Sequence, residues 1–174
     1  ALSLPLDIVV TRKIGHPNNA EYAIGAVDAT GMLMLNDAEV SSINRTWLEE
    51  RTRLEQVEAR RRESVYRAGK RPATIGGKIA IIVDDGIATG LSMRLAILAV
   101  KSQKPARIVV AAPVAPEDVA ETIRGEVDEL IVLEPPGEFR GSVGAHYKRF
   151  DQVKDHEVIR LITSLTPTIV PDSG

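Results

Sequence analysis

Between residues 78 and 133, short apolar runs alternate with amphipathic stretches, and this alternation restricts the possible fold more than any other feature of the chain. Residues 78–83, 107–112 and 127–133 read as strands. Residues 93–101 and 116–124 read as helices, the second with Pro116 near its start, where a missing N–H costs nothing. Strand–helix–strand units of this length call for parallel strands with helices packed on their faces. Ile79-Ala80-Ile81-Ile82-Val83 is apolar on both pleat faces, the pattern of a central parallel strand. The expected fold class is therefore α/β: a mostly parallel twisted sheet flanked by helices.

The first half has a different rhythm. Residues 6–10 form an apolar, β-branched run expected to be a buried strand, and residues 12–19 read as a loop punctuated by Gly, Pro and Asn. Residues 24–28 and 32–35 flank Ala29-Thr30-Gly31 and predict a hairpin. Residues 37–66 predict one long helix. Its apolar positions Val40, Ile43, Trp47, Leu54, Val57 and Val65 recur at sums of three and four, with Glu49/Arg53 and Glu58/Arg62 as i,i+4 pairs. Arg60-Arg61-Arg62 reads as a solvated helix face in preference to a phosphate-binding patch. A basic loop over residues 66–72 ends that helix. Residues 155–165 predict a last helix capped by Asp155, and the polar, Pro-broken stretch 166–174 reads as a fraying tail. One domain over residues 1–165 accounts for the chain, with residues 15–77 as an inserted region ahead of the strand at 79.

Composition narrows the functional classes. A net charge of −2 argues against a general nucleic-acid binder, so any anionic ligand must be met locally. With no cysteine there is no thiolate nucleophile and no thiolate metal site, and 3 histidines make a His-rich centre unexpected. No apolar run approaches the roughly 20 residues of a membrane span, and residues 1–10 lack a signal-peptide pattern, so a cytoplasmic location is expected.

The chemistry concentrates where the strand at 79–83 stops. Asp84 and Asp85 follow it directly, then a loop containing Gly86, Thr89, Gly90 and Ser92, then a helix. Backbone N–H groups and a helix N-terminus beyond a parallel strand suit a phosphate. The two glycines permit close approach of the backbone to a ligand, and the two hydroxyls add donors. Two carboxylates pointed into that cradle would repel the anion. They make sense if they face sugar hydroxyls, a divalent cation or a developing positive charge. A phosphorylated sugar satisfies both halves. A dinucleotide fingerprint lacks the acidic pair, and a P-loop requires Gly-Lys-Ser/Thr.

Residues 81–92, Ile-Ile-Val-Asp-Asp-Gly-Ile-Ala-Thr-Gly-Leu-Ser, resemble the phosphoribosyl pyrophosphate (PRPP) signature of type I phosphoribosyltransferases. The resemblance implies a Rossmann-like fold and transfer of a 5-phosphoribosyl group from PRPP to a nitrogenous acceptor, with release of pyrophosphate. It implies that Asp84 and Asp85 hold the ribose hydroxyls and contact Mg²⁺ only through PRPP or water. It further implies that Gly86, Ile87, Ala88, Thr89, Gly90, Leu91 and Ser92 form the 5-phosphate loop, and that Arg12 and Lys13 contact the pyrophosphate. Ala88 stands where several 6-oxopurine enzymes of the family carry an acidic base. Phe139, in the loop after the last strand, either stacks on the acceptor or covers the core edge; His146 and Tyr147 read as packing or interface residues. Family members commonly form homodimers. They also carry an earlier strand with a pyrophosphate loop, for which only residues 1–5 remain ahead of Leu6, so the chain reads as truncated, a fragment or divergent. A non-catalytic PRPP- or nucleotide-binding regulatory or interaction domain is the alternative function.

Overall fold

The computed structural model describes residues 4–165, and within them the chain builds two three-stranded sheets. The first is an antiparallel meander of β1 (Thr11–His16), β2 (Asn19–Asp28) and β3 (Leu33–Leu35). In it Thr11 lies opposite Asp28 and Ile14 opposite Gly25. The strand expected at residues 6–10 is not formed, and the loop expected at 12–19 shrinks to Pro17 and Asn18 between β1 and β2. The reason is pairing. A strand needs a ladder partner for its backbone groups, and residues 11–16 have one whereas 6–10 do not. The latter are tied by side chains instead: Arg67 donates to the Ile8 carbonyl at 2.9 Å, and Asp7 accepts from the Ala73 N–H at 2.7 Å. The β2–β3 turn is the expected one. The buried Asp28 carboxylate closes it by accepting from Thr30 Oγ1 and from the N–H groups of Gly31 and Met32.

The single helix expected over 37–66 is two, α1 (Asp37–Val40) and α2 (Arg45–Arg67). Ser41 and Ser42 turn their hydroxyls onto the carbonyls of Ala38 and Glu39, and Asn44 restarts the helix by accepting from the Trp47 N–H at 3.0 Å. Val40, Ile43 and Trp47 pack against Ile14, Ile24 and Val27 as their spacing predicts. Leu54 and Val57 do not; they are exposed, and the buried positions are Ala59 and Glu55. Glu55 tolerates burial because Arg12 (2.8 Å) and Arg51 (2.5 Å) both pair with it. Of the predicted i,i+4 pairs, Glu58–Arg62 forms at 2.8 Å, whereas Glu49 pairs with Arg45. Arg60 donates to the Ala29 carbonyl, while Arg61 and Arg62 share Glu58. The arginine run is thus committed to intramolecular partners.

The second sheet holds β4 (Ile79–Val83), β5 (Arg107–Ala112) and β6 (Glu129–Val132), all parallel in the order β4-β5-β6. Its crossovers are α3 (Leu91–Lys101) and α4 (Glu117–Arg124). On one side of α3, Met93 and Ile97 join Val110, Ala112 and Ile123 in the main core. Leu91 and Leu95 of the same helix pack on Ala26 of β2, with Met32 and Met34 at the edge of that cluster. One helix therefore serves two cores and fixes the hairpin unit against the α/β unit. Among the described residues β4 is an edge strand, not the central strand its composition suggests. Ala80 packs inward with Val100 and Ile108, while Ile79, Ile81 and Val83 are 61%, 45% and 72% exposed. The buried central strand is β5.

Helix α5 (Asp155–Leu165) rests on α2. Asp155 does this by accepting from Tyr66 Oη at 2.7 Å and Arg61 at 2.9 Å, so it is an inter-helix anchor where a cap was expected. The tail expected at 166–174 lies outside the described residues. No helix among those described is long and apolar enough to cross a membrane.

Candidate functional site

The three parallel strands deliver their carboxyl ends, and the segments that follow, to one edge of the sheet, the place where open α/β sheets bind ligands. After β4 the Asp84 N–H still pairs with the Ala111 carbonyl (3.2 Å), and Ile87 reaches back to pair its N–H with the Val114 carbonyl (2.9 Å). Ile87 is buried in the main core beside Met93 and Ala115. This one apolar side chain anchors the loop, and the residues on either side of it turn outward. Asp84 and Asp85 are exposed on the strand side. On the helix side Gly90 takes φ 76°, a left-handed conformation that glycine adopts without cost, and opens α3.

The loop's donors are the decisive feature. Asp85 N–H is taken by the Asp84 carboxylate at 2.9 Å, and the first helical bond of α3 runs from Arg94 N–H to the Gly90 carbonyl at 2.8 Å. The N–H groups of Gly86, Ala88, Thr89, Gly90, Leu91, Ser92 and Met93 make no hydrogen bond within the described residues, nor do the hydroxyls of Thr89 and Ser92. No side chain caps the helix. This is a concentrated array of donors at the positive end of an eleven-residue helix.

The glycines also matter for packing. A Cβ on Gly86 would lie 2.5 Å from Val143 Cγ1 and 2.9 Å from Val114 Cγ2, and one on Gly90 would lie 2.7 Å from Val119 Cγ1. Their small size lets other protein segments close on the loop, where the sequence suggested room for a ligand's approach. A cavity of about 550 Å³ opens beside Ala88 and Thr89, walled by Tyr22, Leu35 and Asn36 of the hairpin side and by Pro116 and Val119 of the α4 side.

Although the residue as a whole reaches solvent, the Asp84 carboxyl is crowded by the atoms of the turn, and this desolvation, followed by the charge of Asp85, pushes it up to about 6. A carboxyl whose pKa is higher folded than unfolded favours the protonated fold. The stability it contributes is present below about pH 4 and is lost as pH rises through about 6. Asp84→Asn removes the titration. Its melting midpoint is expected to match the parent at pH 4 and to exceed it at pH 8, in melts recorded across that range; equal midpoints at pH 8 would contradict the strained acidic pair.

Other predicted site residues are held elsewhere. Arg12 lies in β1 and donates to Glu55; Lys13 pairs with Glu21 at 2.6 Å. Neither makes a hydrogen bond or ion pair with residues 84–92. Phe139 stacks on His146 with ring centroids 5.4 Å apart. Sequence reasoning did not find the link from Tyr147 Oη to the Asp85 carbonyl, 2.6 Å long and spanning 62 residues. No local pattern announces such a contact. Among the described residues no three His, Cys, Asp or Glu side chains converge to hold a metal ion.

The fold is thus an α/β domain whose first parallel strand ends in an acidic pair and a loop of N–H donors. Comparison with known proteins gives the family: the phosphoribosyl transferase domain model matches residues 1–143, and the chain belongs to that family. It is 34% identical over 164 residues to two proteins from strains of Mycobacterium tuberculosis that carry the provisional name phosphoribosyl transferase, MT0597 and Rv0571c. The matched region is 93% of this chain and 37% of each of theirs, so the chain spans little more than a third of these curated relatives. Its fold is similar to the crystal structure of TT1426 from Thermus thermophilus, at TM-score 0.69 and 34% identity, covering 93% of this chain and 77% of that one.

Proposed function

We propose that this chain binds the ribose 5-phosphate half of PRPP on residues 84–92 and transfers the phosphoribosyl group to a nitrogenous acceptor. The observation that carries this reading is the acidic pair followed by seven backbone N–H groups without an acceptor among the described residues. The cradle takes the 5-phosphate, and Asp84 and Asp85 accept from the ribose 2′- and 3′-hydroxyls. The acceptor nitrogen's lone pair forms the bond to C1′, and the C1′–O bond to pyrophosphate breaks with its electron pair leaving on oxygen. Charge then develops as in glycoside cleavage. Ala88 offers no base, so the acceptor's proton passes to solvent or to the departing pyrophosphate.

Two exposed carboxylates with hard oxygen donors fit Mg²⁺ held mainly by substrate oxygens and water, not by an all-protein cage. Mg²⁺ so bound supplies neutralisation of the pyrophosphate charge. Arg12 and Lys13 reach the leaving group only by exchanging partners. For Lys13 this costs little, since its pair with Glu21 is exposed. For Arg12 the cost is limited because Arg51 remains on Glu55. Phe139, in the loop after the third parallel strand, is the proposed stacking surface for the acceptor base.

The pairs Arg12–Glu55 and Lys13–Glu21 favour a second reading, a PRPP- or nucleotide-binding regulatory domain without turnover. Calorimetry of the chain with PRPP and Mg²⁺ tests the shared site: binding in the micromolar range is expected, and no heat at millimolar PRPP would refute it. Pyrophosphate release across a panel of nitrogenous bases then separates transferase from sensor.

A further inference from the structure

We propose that Tyr147 is a positioning residue for the ribose end of this site, fixing the Asp85–Gly86 peptide through its hydroxyl; this rests on the PRPP reading above. Tyr147 Oη donates to the Asp85 carbonyl at 2.6 Å, and that oxygen has no other partner among the described residues. All peptide bonds described are trans. In a trans peptide the C=O and N–H point in opposite directions, so holding the Asp85 oxygen also sets the direction of the Gly86 N–H. That N–H is one of the donors without an acceptor among the described residues. The same peptide joins the second ribose carboxylate to the cradle, and glycine on one side would otherwise leave it free to rotate.

The segment that presents Tyr147 is itself well held. His146 Nε2 accepts from the Arg140 backbone N–H at 3.0 Å, so the ring proton sits on Nδ1 and faces Glu134 Oε2 at 2.7 Å. The His146 side chain is 2% exposed and stacked on Phe139, and Tyr147 packs on Phe150 at 5.0 Å. From this segment Val143 closes on Gly86. The segment thus grips the acidic turn at two points, one apolar and one polar. A neutral phenol suits the polar point. Burial first, and then the charges of Asp85, Asp84 and Glu134, raise the Tyr147 pKa and keep the proton on the donor.

Tyr147→Phe removes the hydroxyl and keeps the ring contact with Phe150. Two readouts on the whole chain test the assignment. Amide exchange at Ile87, whose N–H is bonded to Val114, is expected to quicken at least severalfold. PRPP affinity in Mg²⁺ is expected to weaken by about tenfold, the loss of one well-formed hydrogen bond and the order it imposes, with inorganic phosphate affinity falling by a clearly smaller factor, since Gly86 is one donor among several, and the melting midpoint nearly unchanged. Unchanged exchange overturns the tie. Quickened exchange with unchanged PRPP affinity overturns its positioning role, as does an equal loss for inorganic phosphate. A parent chain that binds no PRPP refutes the ligand reading instead, and the exchange measurement then decides the tie by itself.

Discussion

Replacing both acidic side chains, Asp84→Asn with Asp85→Asn, is expected to abolish measurable Mg²⁺-dependent PRPP binding while leaving a folded chain. Hydrogen bonds to charged groups contribute roughly 1.5–3 kcal/mol each. Replacing two charged acceptors by neutral amides, each of which also turns an N–H₂ donor toward the ligand, lowers affinity by about 10²- to 10⁴-fold. The fold tolerates the change because both side chains are exposed and the pair is internally repulsive. Inorganic phosphate, which needs only the N–H cradle, serves as the control: it should bind the double variant about as well as the parent. Calorimetry reads both. PRPP affinity undiminished by the two substitutions would show that the carboxylates do not meet the ribose.

Ile97→Ala is expected to be the most damaging single truncation in the site's supporting core. Ile97 has no exposed surface and packs with Met93, Val110 and Ile123 under the loop. Truncations of this kind cost about 2–5 kcal/mol. At about 2–4 °C per kcal/mol for a domain of this size, the melting midpoint should fall by roughly 5–15 °C. The same helix supplies the control. Leu98 is 41% exposed, and Leu98→Ala should cost less than about 1 kcal/mol. Comparable losses in thermal or urea melts would mean that α3 does not bury the face described. A large loss at Ile97 with the proposed phosphate binding retained below the midpoint is the expected pattern, because the truncation empties the core face of α3 and leaves the N–H groups at its start in place.

Much of the α/β half was legible in the chain. Apolar strands separated by amphipathic helices report their own elements, since each period reflects the side chain's local direction. The loop was legible for the same reason: two glycines and two hydroxyls between a strand and a helix mark it, and donors at a helix N-terminus follow from residues adjacent in sequence. The first half was less legible. Residues 6–10 have strand composition but no ladder partner, and residues 11–16 gain one from β2. Leu54 and Val57 keep the helical spacing yet face outward, because α2 turns Glu55 and Ala59 toward the hairpin sheet and two arginines neutralise the carboxylate. Helix periodicity shows that a stripe exists; the neighbour it meets decides which stripe is buried.

The site divides in the same way. The acidic pair, the glycines and the N–H cradle are local, set by a few consecutive φ and ψ values and by one buried anchor, Ile87. They are the part that residues 84–92 determine by themselves, and with them the family. Only the tertiary structure decided the rest: that β4 lies at an edge, that Arg12 and Lys13 are paired with Glu55 and Glu21, and that Tyr147 holds the Asp85 carbonyl from 62 residues away. Contacts of that kind depend on which surfaces the packing brings together, and no pattern of neighbouring residues encodes them.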